Sequence, residues 1–292
     1  MHKEEGFIRF KRGLNDTNSY YYHPLIRIII NTNKILIYIF LYLFLINKWL
    51  KRINLYKMTQ LGRFHISKFL DTEAVDNIKH WYKIQNWTNG AGSVTGYGNN
   101  IKNNLMTKDT LPDSYIWNHI DNNKEFVPFT HSHTSSKPVV TKTPVGGYYH
   151  PHFDNVTLGH FSTTIFLNSP DQYDGGELIL FIDGEEVPFK LESGWGITYE
   201  TGIEHRVNTV SHGERNVIIF WSYSYWNNIN AFREYKYWTH MHERCQLPVC
   251  DNLYDYHNSL YVHYRRKADD LMRRCVSYQD MIHITNNTHF SS

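Results

Sequence analysis

"FSTTIFLNSPDQYDGGELILFIDGEEVPFKLESGWGITYETGIEHRVNTVSHGERNVIIFWSYS", residues 161–224, decides how this chain folds. Apolar and β-branched runs alternate with turn signals: "SPDQYDGG", "DGEE", "ESG" and "SHGE". That rhythm reads as consecutive short strands. Working upstream adds "KPVVTKTP" at 137–144 and "GYYHPHF" at 147–153, which makes eight strands between about 137 and 225. Eight strands at this spacing predict a jelly roll or sandwich. "GG" at 175–176 reads as a hairpin turn.

The flanks have a different texture. From 58 to about 136 the text is mostly helical with loops. Asp71 can cap a helix carrying Val75, Ile78 and Trp81 at helical spacing. A second helix is expected from Asp113, with Tyr115, Ile116 and Ile120 on its apolar side. "NGAGSVTGYGNN", 89–100, is a Gly/Asn-rich loop. The expected organisation is an N-terminal extension at 1–57, a helical and loop support region at 58–136, a β core at 137–228 and a helical tail at 229–292.

"ILIYIFLYLFLI" at 35–46 is a twelve-residue apolar run. Crossing a bilayer takes roughly 20 such residues. Extending back to Leu25 reaches that length only by including Arg27, Asn31, Asn33 and Lys34. Three readings stay open. Residues 25–46 form a short signal anchor and make the protein membrane-associated, or they form an interfacial helix, or they are a leader before an internal start at Met58 that makes it cytoplasmic.

The 292 residues are 41% hydrophobic and 20% charged, which is enough for a sizeable core and excludes wholesale disorder. A net charge of +2 indicates no nucleic-acid partner. Three cysteines, Cys245, Cys250 and Cys275, make no disulfide framework and favour a reducing compartment. With His240 and His242, the first two have the letters of a zinc site. Their spacing is loose for one, and an ordinary helical tail is the better reading.

"GGYYHPHFDN" at 146–155 is the densest cluster of potential ligands, and "HIDN" at 119–122 repeats its His-x-Asp spacing. With 18 histidines in the chain, one such triplet is expected by chance. His119 and Asp121 fall in an expected helix, where positions two apart point about 200° apart and cannot readily grip one ion. His152 and Asp154 fall at the end of an expected strand, where positions two apart share a face. The next strand histidine after a turn is His205. Two His and one carboxylate leave coordination positions open, which is the arrangement of non-haem iron(II) oxygenases. Arg215 lies ten residues after His205, at the start of the last strand. Its planar guanidinium suits a carboxylate held by two parallel hydrogen bonds. Arg215, Val217, Ile219 and Trp221 share a face of that strand.

His152-x-Asp154, His205 and Arg215 in this order and spacing resemble the 2-oxoglutarate/iron(II) dioxygenase superfamily. The branch is similar to the prolyl 4-hydroxylases, and most of all to PKHD-type hydroxylases. "FSTTIFLNSPDQYDGGEL", "GIEHRVNTVSHGERNVIIFW", "NWTNG" and "IKNN" (101–104) carry the same likeness, which covers about 80–225. The resemblance implies a mainly β fold with flanking helices and a double-stranded β-helix core. It implies that His152, Asp154 and His205 bind Fe(2+) and are catalytic, and that Arg215 binds the 2-oxoglutarate tail. It places Tyr149 and Trp221 at substrate-contacting positions. Family members often carry a Tyr nine residues before the first His, touching the co-substrate; here Thr143 stands at that co-substrate-binding position. His150 and His160 match no ligand position. The implied reaction consumes 2-oxoglutarate and O2, with L-ascorbate in support, and hydroxylates an unactivated C–H. A protein or peptide substrate is expected, with prolyl residues favoured. Two alternatives stand beside this: a non-catalytic jelly roll that binds a metal or ligand, and a hydroxylase of a small molecule or free amino acid.

Overall fold

The computed structural model describes residues 63–93, 100–245 and 254–288. The apolar run at 35–46, Met58 and Cys250 lie outside these residues, and among those described no helix is long and apolar enough to cross a membrane.

In chain order the strands are β1 (Phe64–Lys68), β2 (Trp87–Asn89), β3 (Lys102–Asn103), β4 (Leu105–Thr107), β5 (Ser132–Ser135), β6 (Val139–Thr143), β7 (Tyr148–His152), β8 (Phe161–Phe166), β9 (Tyr173–Asp174), β10 (Leu178–Ile182), β11 (Glu185–Phe189), β12 (Trp195–Glu200), β13 (His205–Val207), β14 (His212–Gly213) and β15 (Arg215–Ser224). The helices are α1 (Thr72–Lys83), α2 (Trp117–Asp121), α3 (Phe126–Thr130), α4 (Ile229–Arg244), α5 (Tyr254–Cys275) and α6 (Tyr278–Thr288). All eight expected strands are present, as β6, β7, β8, β10, β11, β12, β13 and β15.

The larger antiparallel sheet runs β1-β12-β8-β15-β6-β4-β2, with β5 also paired to β15, and the smaller runs β11-β10-β13-β7-β3. Together they form a jelly-roll core with flanking helices. Side-chain alternation along each strand decides what lies between the sheets. Phe166, Ile197, Tyr199 and Val217 of the larger sheet pack there with Leu178, Leu180, Ile182 and Phe189 of the smaller. The opposite parity of the larger sheet, Val140, Ile165, Ile218 and Phe220, packs against Val75 and Ile78 of α1 and against Ile116, Ile120 and Phe126. Asp71 caps α1 as expected, its Oδ1 accepting from the Ala74 amide at 2.8 Å.

Two expectations change. The segment from Asp113 is a three-residue 3-10 turn followed by the five-residue α2, because Ile116 sits at φ −138°, outside helical backbone. His119 and Asp121 do lie on α2, apart from any convergent group of ligand atoms. Gly175 and Gly176 are not a hairpin turn either. They join β9 to β10, and those strands pair with β14 and β13 respectively, not with each other. The true two-residue hairpin is Asp183–Gly184 between β10 and β11, both at positive φ (53° and 85°). The glycine pair has another cause. Gly175 has φ 71°, and a Cβ there would sit 2.0 Å from the Thr209 carbonyl oxygen. Gly175→Ala therefore lowers stability by at least ~2 kcal/mol, read as a shift of the urea unfolding midpoint.

The C-terminal helices are fastened to the barrel. Phe161, Trp226, Phe232, Leu271, Val276 and Ile284 form one buried cluster. Glu200, at the end of β12, is buried and takes Arg233 of α4 through both carboxylate oxygens.

Candidate metal centre and its cavity

β13 and β7 pair antiparallel with His205 directly opposite His152. That register sets the two imidazoles side by side on one face, ring centroids 4.2 Å apart. Asp154 follows two residues beyond His152. Its Oδ1 lies 3.9 Å from His152 Nε2 and 3.8 Å from His205 Nε2. These separations are too long for hydrogen bonds, and they leave room for a body between the three atoms. Among the described residues this is the only group of three or more His, Cys, Asp or Glu whose ligand atoms converge, all within 4.8 Å. His240, His242 and Cys245 do not join such a group; His242 Nδ1 instead meets the Tyr261 carbonyl at 2.9 Å.

The local hydrogen bonds aim these atoms. His152 Nδ1 lies 2.8 Å from the His150 carbonyl and His205 Nδ1 2.9 Å from that of Ile203. A carbonyl oxygen only accepts, so each Nδ1 carries the proton and each Nε2 presents a lone pair to the centre. Burial, and then the facing His205, push His152 down to about 4. At neutral pH its ring is uncharged and free to donate to a metal. Asp154 Oδ2 accepts from Ser162 Oγ at 2.7 Å and from Trp221 Nε1 at 2.8 Å, which turns Oδ1 toward the histidines. Two imidazole nitrogens and one carboxylate oxygen are the donor set that suits a divalent iron with open positions, so the residues fit that ion.

Trp221 lines the cavity, and it also holds Asp154. Trp221→Phe keeps a ring and removes the indole N–H. It is expected to weaken manganese(II) binding by ~10-fold, measured by calorimetry, with unchanged thermal unfolding.

The three residues open into a cavity of about 590 Å³. Arg215, Ile219 and Trp221 of β15 line it, as the shared face of that strand requires, while Val217 packs in the core beside it. Arg215 is 3% exposed and pairs in register with Thr143 of β6, itself 2% exposed. Its guanidinium sits 5.4 Å over the Phe166 ring, and its Nε has no hydrogen-bond partner. Burial draws its pKa down, against the pull of Tyr173, Tyr199 and Glu177, yet an arginine remains charged. Among the described residues no carboxylate lies within 4.0 Å of it. A buried cation without an ion pair is costly unless an anion arrives. Tyr149 stacks on His152 at 3.5 Å between centroids, so its ring packs against the candidate ligand and lines the cavity. His150 contributes its carbonyl to His152, and His160 Nδ1 accepts from the Ser224 amide.

The sequence profile of the 2OG-Fe(II) oxygenase superfamily matches residues 138–223. The chain is 31% identical over 189 residues to a PKHD-type hydroxylase of Prochlorococcus marinus (strain MIT 9215), covering 58% of this chain and 80% of that protein. The chain belongs to the 2OG-Fe(II) oxygenase superfamily. It is also 29% identical over 166 residues to a PKHD-type hydroxylase of Maricaulis maris (strain MCS10), covering 54% of this chain and 75% of the relative. Among solved structures, a prolyl hydroxylase from Trichoplax adhaerens, in complex with a hypoxia inducible factor oxygen degradation domain peptide fragment, matches at TM-score 0.47. It is 17% identical, covering 60% of this chain and 93% of that one.

This PKHD-like oxygenase is an iron(II)- and 2-oxoglutarate-dependent dioxygenase, with O2 as the oxidant and 2-oxoglutarate as the co-substrate. Its site contains residues that the spacing of motifs did not flag. Ser162 sits on the inward parity of β8 with Thr164 and Phe166, and that alternation alone would have found it. Lys102 reaches the cavity from β3, and burial lowers its amine to about 8 against the pull of Asp154. Tyr199 packs edge-on to His205 at 5.3 Å.

Proposed function

We propose that His152, Asp154 and His205 hold Fe(II), that Arg215 holds the 2-oxoglutarate tail, and that the oxygenase hydroxylates a peptidyl prolyl residue. The observation that carries the metal assignment is the convergence of His152 Nε2, His205 Nε2 and Asp154 Oδ1, each aimed by a second hydrogen bond. Iron, when bound, would let O2 act as the oxidant: one oxygen atom would convert a substrate C–H to C–OH, and the other would enter the succinate formed as 2-oxoglutarate loses carbon dioxide. The chain's own residues arrange it. His152, Asp154 and His205 would hold the ion at the cavity wall, which all three line. Arg215 forks onto the distal carboxylate of 2-oxoglutarate, with the Thr143 hydroxyl beside it in register. Leu178 and Ile219 present apolar wall to the reacting region and exclude water there. Tyr149 and Trp221 bound the space for the substrate ring. L-ascorbate keeps the iron reduced between turnovers.

The prolyl assignment is supported by the resemblance of the ordered set from Tyr149 to Trp221 to prolyl 4-hydroxylases. The test combines succinate release from 2-oxoglutarate, iron(II) and ascorbate with a mass-spectrometric hydroxylation screen of peptide pools. Wild type is expected to give succinate and a +16 Da prolyl product, and Asp154→Ala neither. Absence of succinate in every pool, with no uncoupled turnover, sinks the catalytic reading. Hydroxylated free amino acids in place of peptides sink only the peptidyl one.

A further inference from the structure

The segment 102–107 presents Lys102, Asn104 and Met106 on one side, and all three line the cavity. Lys102 Nζ donates to Ser93 Oγ at 3.1 Å, touches Met106 Sδ at 3.9 Å and lies 4.9 Å over the Tyr149 ring. Among the described residues no carboxylate lies within 4.0 Å of this ammonium. Asn104 is 8% exposed and also lines the cavity, but its Oδ1 is turned away from it and buried against Gly90. A cation on a cavity wall that lacks an ion pair is costly unless an anionic ligand satisfies it.

The co-substrate does not account for it. Of its two carboxylates, the distal one is matched to Arg215 on β15, and the 2-oxo acid end is matched to the metal. Lys102 stands on the other sheet, opposite Tyr149 of β7 in register. The cavity therefore holds a second cationic position, beside the ring that bounds the substrate space. We propose that Lys102 is the substrate-recognition cation of this wall, pairing with a carboxylate of the substrate. This rests on the reading of the cavity as the reaction site and adds the substrate's charge. The carboxylate has two sources, a free main-chain terminus or an acidic side chain beside the hydroxylated residue.

The test is calorimetric binding to the full chain, loaded with manganese(II) and 2-oxoglutarate and kept free of oxygen. The probes are N-acetyl amino acids, proline among them, each as the free acid and as the amide. A second set holds N-acetyl dipeptide amides ending in glutamate or glutamine. At least one carboxylate member is expected to bind ~10-fold or more tighter than its neutral twin. The first set reports a main-chain source and the second a side-chain source. Lys102→Met is expected to erase that preference and Lys102→Arg to keep it, which separates loss of charge from loss of fold. Equal binding of every acid and its twin by wild type overturns the proposal, as does a preference that survives Lys102→Met. A Lys102→Met variant that weakens only 2-oxoglutarate binding assigns the lysine to the co-substrate and also overturns it. A preference shown by other amino acids but not by proline leaves Lys102 assigned and removes the prolyl reading.

Discussion

Asp154→Ala abolishes succinate formation and weakens manganese(II) binding by ~100-fold or more, beyond the 10–100-fold usual for residues that merely support a ligand. Oδ1 is the only oxygen in the convergent group, and two imidazoles alone leave an ion without a charged donor. The truncation also strips Ser162 Oγ and Trp221 Nε1 of their acceptor, so part of its effect is local rearrangement. Asp154→Asn separates the two effects. It retains an oxygen for one of these donors but cannot supply a charged ligand atom, so metal affinity falls while thermal unfolding stays close to wild type. Calorimetric titration of both variants reads the difference. Unchanged metal affinity in Asp154→Ala places the ion elsewhere.

Arg215→Ala raises the KM for 2-oxoglutarate by ~100-fold, the equivalent of about 3 kcal/mol, as expected when one partner of a buried charged pair is removed. Manganese(II) affinity is unchanged, because no ligand atom contacts the arginine side chain. Arg215→Met fills more of the space over Phe166. It is expected to show the same KM defect with better stability, so the loss follows the charge rather than the packing. Steady-state titration of succinate formation against 2-oxoglutarate measures both variants. A flat co-substrate dependence removes Arg215 from that role.

Much of this was legible in the chain, for physical reasons that differ by element. The eight core strands announced themselves because turn signals separate most of them, with apolar and β-branched residues in between. The convergence of His152, Asp154 and His205 was legible once the strand period was applied, while the helical period dismissed His119 and Asp121. Strands such as β2, β3 and β4 were not, because two or three residues are too short to show alternation and their pairing is set by distant partners. "GG" at 175–176 misled because a glycine pair signals both tight hairpins and close backbone approach, and only the Thr209 carbonyl distinguishes them. Ser162 and Lys102 lie in stretches that carry the family likeness, but what each touches, Asp154 for Ser162 and the cavity for Lys102, follows only from the packing.

The segment 102–107 belongs to both sheets: β3 pairs with β7 of the smaller, and β4 with β6 of the larger. It is a suture across the mouth of the sandwich, and the side chains of Lys102, Asn104 and Met106 hang from it. Lengthening or shortening it by one residue would shift register in two sheets at once and flip that row to solvent. The backbone there is consequently inflexible to insertion, whereas its inward letters are replaceable one by one. Diversification of substrate choice on this scaffold should proceed by exchange at alternate positions, with the loop count held constant.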